Sequence, residues 1–325
     1  MKLPRRQFLH LAAGAAALPF APPIARAQAY PTRPVRLIIG FPPGGASDIL
    51  ARIIGQWLTE RMGQPVIVEA RPGAGGNIAI QTGLSAPPDG YTVMQIAASN
   101  SVNATLFESL PFDLLRDLMP VAGLASFPFA MNVNPALPAK TVAEFIALAK
   151  TSPGKISMAS FGSGSTSHLA GELFKIMSGV NMTHVPYRGS PPANVDLMSG
   201  QVQVMFDTLV GSLPHIRSGT IRALAVAGSS RLDVLPDVPT VADTVPGFEV
   251  SGWNGIAVRK GVSAEIVERL NAEINAGLAN PTVKARIAQA TALPLQLSPG
   301  QFGAHMAAET EKWGKVIRSV NIKPD

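Results

Sequence analysis

The sequence predicts an α/β protein built on a parallel sheet, and three observations carry that expectation. From residue 35 onward, apolar runs of 5 to 7 residues alternate with longer stretches of helical periodicity, the order a parallel sheet with covering helices requires. Glycine-rich turns stand at three strand-to-helix junctions, 40–45, 73–78 and 162–167. At 325 residues the chain is long enough for about two domains.

The elements follow in order. "VRLIIGF" reads as the first strand, and Ile49, Leu50, Ile53, Ile54, Trp57 and Leu58 then form an i, i+3, i+4 helical stripe. "PVIVEA" is the second strand, "RPGAGGNIAIQTGL" a turn and helix, and "YTVMQIA" a third strand after the turn Pro87-Pro88-Asp89-Gly90. Thr141-x-x-Glu144 is a capping box opening a helix with Val142, Phe145, Ile146 and Leu148. "KISMAS", "GSGSTSHLAGELFKIM" and "THVPYRG" read as strand, loop with helix, and strand; "VQVMFD" and "IRALAVA" are further strands with a short helix between them. The C-terminal part is mostly helical. One stripe runs from Ile266 to Leu278 and ends at Asn280-Pro281, and Ser298-Pro299 opens a last helix carrying Phe302, Met306, Trp313 and Ile317.

Residues 1–27 are set apart from the fold. Arg5-Arg6 is followed by Gln7, Phe8 and Leu9, an apolar stretch, and Ala25-Arg26-Ala27, a small-x-small cleavage site. This reads as a cleaved twin-arginine export signal, with the periplasm as destination. Pro19, Pro22 and Pro23 interrupt the stretch, which falls short of the ~20 apolar residues a spanning helix needs. The leader also distorts the charge balance. It holds four of the 27 basic residues and no acid, so 23 bases face 21 acids in the mature chain, a net +2. With no Lys/Arg run and no aromatic-basic interleaving, nucleic acid is not an expected partner. The absence of cysteine excludes thiol chemistry and cysteine-ligated metal, and a chain of this size needs no disulfide to hold its core.

Strand, glycine turn and helix start together aim backbone N–H groups and the positive helix end at an anion. Gly40 to Gly45 has the G-x-x-x-x-G spacing of a phosphate loop, but Ala46 occupies the position of its lysine, which argues against a nucleoside triphosphate. "GAGGNI" and "GSGSTS" each lack the last glycine of the dinucleotide fingerprint, with Ile78 and Ser167 in its place, and no cofactor is expected. Turns able to hold a carboxylate remain, against the alternative that Gly and Pro only make tight turns. Ser163, Ser165, Thr166 and Ser167 can cap a helix or face a ligand. Asp48 and Asp207 carry the same two readings, stabiliser of a helix start or acceptor from a ligand.

Catalysis finds little footing. The four histidines of the mature chain, His168, His184, His215 and His305, show no i, i+4 metal spacing, and there is no G-x-S-x-G elbow. A triad assembled from distant residues stays open at this level.

Taken together, "YPTRPVRLIIGFPPGGASDILAR", "VIVEARPGAGGNIA", "PPDGYTV", "GSGSTSHLAGELFK", "HVPYRGSPPA", "GQVQVMFD" and "RALAVAGSSR…LPDVPTVAD" resemble the substrate-binding proteins of tripartite tricarboxylate transporters, the Bug family, from about Tyr30 to Lys323. The resemblance implies a type II periplasmic binding fold: two α/β lobes joined by two crossover segments, with a ligand cleft between. Residues 28–128 with 251–325 would form one lobe and 129–250 the other. It implies a monomer that takes a small carboxylate-bearing organic acid to a membrane permease with large and small subunits, without cofactor, metal or turnover. Pro43, Gly44, Gly45, Ala46 and Asp48 would grip a carboxylate from one lobe, and Gly162, Ser163, Gly164, Ser165, Thr166 and Ser167 from the other. Ser99, Asn100 and Ser101 map to the variable pocket wall, Asp207 to the family's cleft aspartate, and Tyr187 to the cleft or, equally, to hinge packing.

The chain departs from the family pattern at Asn100 to Asn103 where a Thr-His pair is usual, at Thr208 where Asn is usual, and at Asn254 where an aromatic is usual. These positions fall where the distal end of a ligand would be read. A hydrolase or isomerase on the same scaffold, and a receptor reporting to a sensor, are the competing readings. Without an arginine assigned to a second carboxylate, one dominant carboxylate is expected.

Overall fold

The computed structural model describes residues 30–107 and 109–320; residues 1–27, where an export signal is expected, lie outside them. The elements of the first half are β1 (Val35–Ile39), α1 (Ala46–Met62), β2 (Val66–Ala70), α2 (Asn77–Leu84), β3 (Thr92–Ala97), α3 (Ala98–Leu106), the short α4 (Leu114–Asp117) and the long β4 (Leu118–Val133). Then come α5 (Val142–Thr151), β5 (Ser157–Ser160), α6 (Thr166–Ser178), β6 (Thr183–Pro186), α7 (Ser190–Ser199), β7 (Val204–Thr208), α8 (Leu209–Arg217) and β8 (Arg222–Val226). The chain closes with β9 (Ser251–Arg259), α9 (Ala264–Ala279), α10 (Pro281–Gln289), β10 (Leu293–Pro294) and α11 (Pro299–Val320).

The strands form two sheets that share one member. The first runs β2-β1-β3-β9-β4 and the second β4-β7-β5-β6, with β8 on the other side of β4. Residues 118–128 of β4 pair with β9 in the first sheet, and residues 129–133 pair with β7 and β8 in the second. A single strand therefore threads from one lobe into the other. The return passes through residues 227–250, where the Val250 N–H donates to the Ala227 carbonyl on the way into β9.

The expectation of a parallel sheet needs correction. β1 pairs parallel with β2 and β3, and β5 with β6 and β7, but β9 and β4 run antiparallel to every named neighbour. The alternating strand–helix units supply the parallel parts, and the two crossover strands reverse direction between them. β4 also hides from periodicity. Pro120 and Gly123 lie within it, and its pairing with β9 slips at 120–122 and 123–125, as a strand that lacks one ladder donor and bends between sheets must.

Burial explains the strands that periodicity does find. Val35, Leu37, Ile38 and Ile39 are each at most 1% exposed, because β1 lies between two neighbours with helices on its faces. The stripe of α1 buries Leu50, Ile53, Ile54 and Leu58, and that of α11 buries Phe302, Met306, Trp313 and Ile317. At α5 the box is rearranged: Thr141 Oγ1 accepts from the Glu144 N–H as expected, but Glu144 Oε2 accepts from Lys140 N–H.

Candidate functional site

A cleft with a free volume of about 40 Å³ lies between the two lobes. Its wall is assembled from helix starts. Gly45, Ala46 and Ser47 begin α1, Ala97, Ala98 and Ser99 begin α3, and Thr166, Ser190 and Thr208 stand at the starts of α6, α7 and α8. Five helices thus present their first turns to one space. A helix start carries a partial positive charge and N–H groups outside the helical ladder; Pro191 and Pro192 remove two such donors at α7, Ser165 and Thr208 each cap one at α6 and α8, and at Gly45 no side chain caps α1. None of the residues lining the cleft is charged, and none is a histidine.

The rest of the wall is aromatic. Phe41 meets Phe161 edge-on with ring centres 6.2 Å apart, Phe161 lies 6.0 Å from Phe129, and Phe129 stacks on Phe127 at 6.4 Å. Trp253 of β9 joins them, its ring set edge-on to Phe302 behind it at 5.7 Å. Gly252 belongs to this arrangement, since a Cβ there would lie 2.1 Å from the Phe127 ring.

Of the residues the sequence nominates, Gly45, Ala46, Ser99 and Thr166 line the cleft. Pro43 and Gly44 are exposed at its rim. The Asp48 carboxylate is taken by the Gly44 N–H at 3.1 Å and by Arg52 Nε at 2.8 Å, which is the helix-start role. Asn100 Oδ1 accepts from Ala97 N–H and so caps α3, and its amide joins Asn103 around Asn77 Oδ1. Ser101 Oγ turns the other way, to the Met306 carbonyl. In the second loop, Ser165 Oγ caps α6 by accepting from His168 N–H, and Ser167 Oγ donates to the Phe206 carbonyl. Gly162, Ser163 and Gly164 shape the turn without lining the cleft. Tyr187 packs with Leu197 and Val202 and donates to Asp196 at 2.6 Å; burial and that carboxylate push its hydroxyl up to about 12.

Asp207 stands behind the wall. It is fully buried, with Oδ2 accepting from Ser190 Oγ at 2.7 Å and Asn194 Nδ2 at 2.8 Å, and Oδ1 from Thr208 N–H at 2.6 Å. Burial pushes its carboxyl up against the pull of these donors. Its reach to the cleft is through Ser190 and Thr208. Sequence reasoning passed over Ser190 and the four phenylalanines, because periodicity shows which residues are buried but not which buried face borders a gap.

The lobes also touch beside the cleft. A Cβ on Gly189 would lie 2.4 Å from the Pro42 ring, and one on Gly164 would lie 2.3 Å from Asn103 Oδ1 and 2.9 Å from Phe107. Among the described residues no group of three metal-ligating side chains occurs. His168 and His184 stack at 4.1 Å, but the latter is held by Ser160 Oγ at 2.6 Å.

Two lobes joined by crossover strands, with a cleft ringed by helix starts between them, have the architecture of two-lobe solute-binding proteins. Residues 50–322 match the pattern described as "TctC: Tripartite tricarboxylate transporter family receptor". Protein BugT of Bordetella pertussis is 37% identical over 300 residues, spanning 91% of this chain and 92% of that one. Among solved structures, R. palustris Rpa4515 with adipate superposes with a TM-score of 0.88 at 36% identity, covering 91% of this chain and 100% of that one. MatC from Rhodopseudomonas palustris with bound malate gives 0.85 at 31% identity, covering 89% and 100%. The chain belongs to the tripartite tricarboxylate transporter receptor family, the Bug or TctC family of periplasmic solute-binding proteins. That membership sets the hydrolase and isomerase readings aside, since the family and these neighbours are receptors.

Proposed function

We propose that this chain, exported by its twin-arginine leader and freed of it, captures a small carboxylate-bearing organic acid as a periplasmic monomer. It passes the acid to a membrane permease with large and small subunits. Residues 28–128 with 251–325 act as one lobe and 129–250 as the other, and the acid is gripped between them. One observation carries this reading: five helix starts face a cleft that no charged side chain lines. Such a site attracts a negative oxygen through backbone N–H groups and dipoles alone. Gly45, Ala46 and Ser47 on one side and Thr166 on the other are the first candidates for the carboxylate. That adipate and malate occupy the two structural neighbours supports the same ligand chemistry.

A thermal-shift panel on the mature chain, refolded to remove any carried-over ligand, tests the proposal against organic acids, amino acids and sugars. An acid at 100 times its Kd adds about 2.7 kcal/mol of stability, a rise of roughly several degrees. A response to sugars and none to any acid overturns it.

A further inference from the structure

Resting on the receptor reading, we infer that the ligand of this chain is a hydroxylated aromatic monocarboxylate, and that Asn254, Ser99 and Ser190 read its hydroxyl. The first strand of evidence is the orphaned polar chemistry of the wall. Ser99 Oγ and Asn254 Oδ1, on residues each 1% exposed, have no hydrogen-bond partner, and both residues line the cleft. They lie together: Asn254 is paired with Ala97 across β3 and β9, and Ser99 follows two residues later. Buried polar atoms are satisfied in folded proteins as a rule, so two orphans on one stretch of wall are atoms waiting for a ligand.

Their chemistry specifies what comes. Asn254 Nδ2 donates to Ser47 Oγ at 3.1 Å, and its Oδ1 is the buried acceptor left without a partner. Ser190 gives its proton to Asp207 and accepts from Asn194 Nδ2 at 3.0 Å, leaving an oxygen lone pair for anything beside it. Acceptors repel a second carboxylate and call for a donor. An ammonium is the wrong donor. It would enter among five positive helix ends with no carboxylate on the wall to balance it. A hydroxyl fits both constraints, because its single proton goes to Asn254 Oδ1 or to Ser190 Oγ while its oxygen accepts from Ser99 Oγ.

The body between carboxylate and hydroxyl meets rings. Phe41, Phe161, Phe129 and Phe127 form a continuous strip from the glycine loop into β4, with Trp253 on the neighbouring strand. Aromatic faces and edges favour another ring, offset or edge-on, while the hydrated chain of a dicarboxylate would lose water to this strip without recompense.

Isothermal titration of the refolded mature chain with meta- and para-hydroxybenzoate, benzoate, cyclohexanecarboxylate, malate, adipate and phenylalanine tests the inference. A hydroxybenzoate is expected to bind about tenfold or more tighter than benzoate, the effect of one buried hydrogen bond to an otherwise unpaired group, and tighter still than malate, adipate or phenylalanine. Asn254→Leu and, separately, Ser99→Ala are expected to shrink the ratio of hydroxybenzoate to benzoate affinity toward unity. Malate or adipate binding tightest overturns the inference and leaves the receptor standing. Binding by none of the acids overturns both. An undiminished ratio in either variant that folds removes that residue from the assignment, and an undiminished ratio in both removes the hydroxyl-reading wall.

Discussion

Ser190 Oγ donates a 2.7 Å hydrogen bond to Asp207 Oδ2, and of the two only Ser190 reaches the cleft. A fully buried carboxylate therefore sets the polarity of a wall it never touches: the serine proton is held inward, and an acceptor faces the ligand. Asp207→Asn reverses this, because an amide can donate to Ser190 and turn its proton outward. The substitution is expected to weaken binding of the acid that gives the strongest response by about tenfold, and to lower the hydroxybenzoate preference more than it lowers benzoate affinity. Titration calorimetry on the two proteins reads both. Equal affinities in the variant and the natural chain would show that the orientation of Ser190 does not matter to the ligand.

Tyr187 gives a prediction of the opposite kind. Its hydroxyl, pushed up to about 12 by burial and by Asp196, is bonded within its own lobe and away from the cleft wall. Tyr187→Phe is expected to cost about 1 kcal/mol of stability through the lost hydrogen bond, a fall of roughly 2 °C in Tm for a chain of this size. Ligand affinity should stay within twofold. A tenfold loss of affinity at unchanged stability would return Tyr187 to the cleft.

Part of this architecture is legible in the sequence, and part is not. The alternation of strands and helices was legible because each unit buries its own stripe, as β1 does with Val35, Leu37 and Ile38. The glycine loops were legible as helix starts, and Gly45, Ala46, Ser99 and Thr166 do line the cleft. β4 was not legible, because Pro120 and Gly123 interrupt its pattern and its two halves serve different sheets. The aromatic strip was hidden for a related reason. Phe127 and Phe129 sit on that same strand and look like ordinary core, and only the meeting of two sheets turns them into a wall. Asp48, Asn100 and Asp207 illustrate the remaining ambiguity, since a polar residue at a helix start serves the backbone or the ligand according to which way it turns.

His305 on α11 lies edge-on to Trp253, with ring centres 4.8 Å apart, and its Nε2 has no partner. Burial lowers its pKa, Glu309 opposes this, and Lys312 adds to the lowering. The folded protein thus holds fewer protons here than the unfolded chain. Stability from this group is full above the ordinary histidine value of about 6.5 and is lost as pH falls through the lowered folded value. Thermal unfolding followed from pH 7.5 to 5 should show a steeper acid-side fall in Tm for the natural chain than for His305→Gln. Parallel curves would mean that the ring is protonated in the fold at no cost.

Gly164 tests how the lobes close. It lies in the left-handed region at φ +76°, and a Cβ there would strike Asn103 Oδ1 and the Phe107 ring of the opposite lobe. Two penalties would follow from Gly164→Ala: backbone strain of about 1 kcal/mol, felt whether the lobes are apart or together, and a clash felt only when they meet. Gly179→Ala isolates the first, because Gly179 sits at φ +68° with nothing within 4 Å of the added carbon. Both variants are expected to lose comparable stability. Only Gly164→Ala should bind its acid about tenfold or more weakly, and at saturating ligand its radius of gyration by small-angle scattering should exceed that of the natural chain. If both variants lose affinity alike, the loss comes from strain within the lobe, and the contact of Gly164 with Asn103 plays no part in holding the cleft shut.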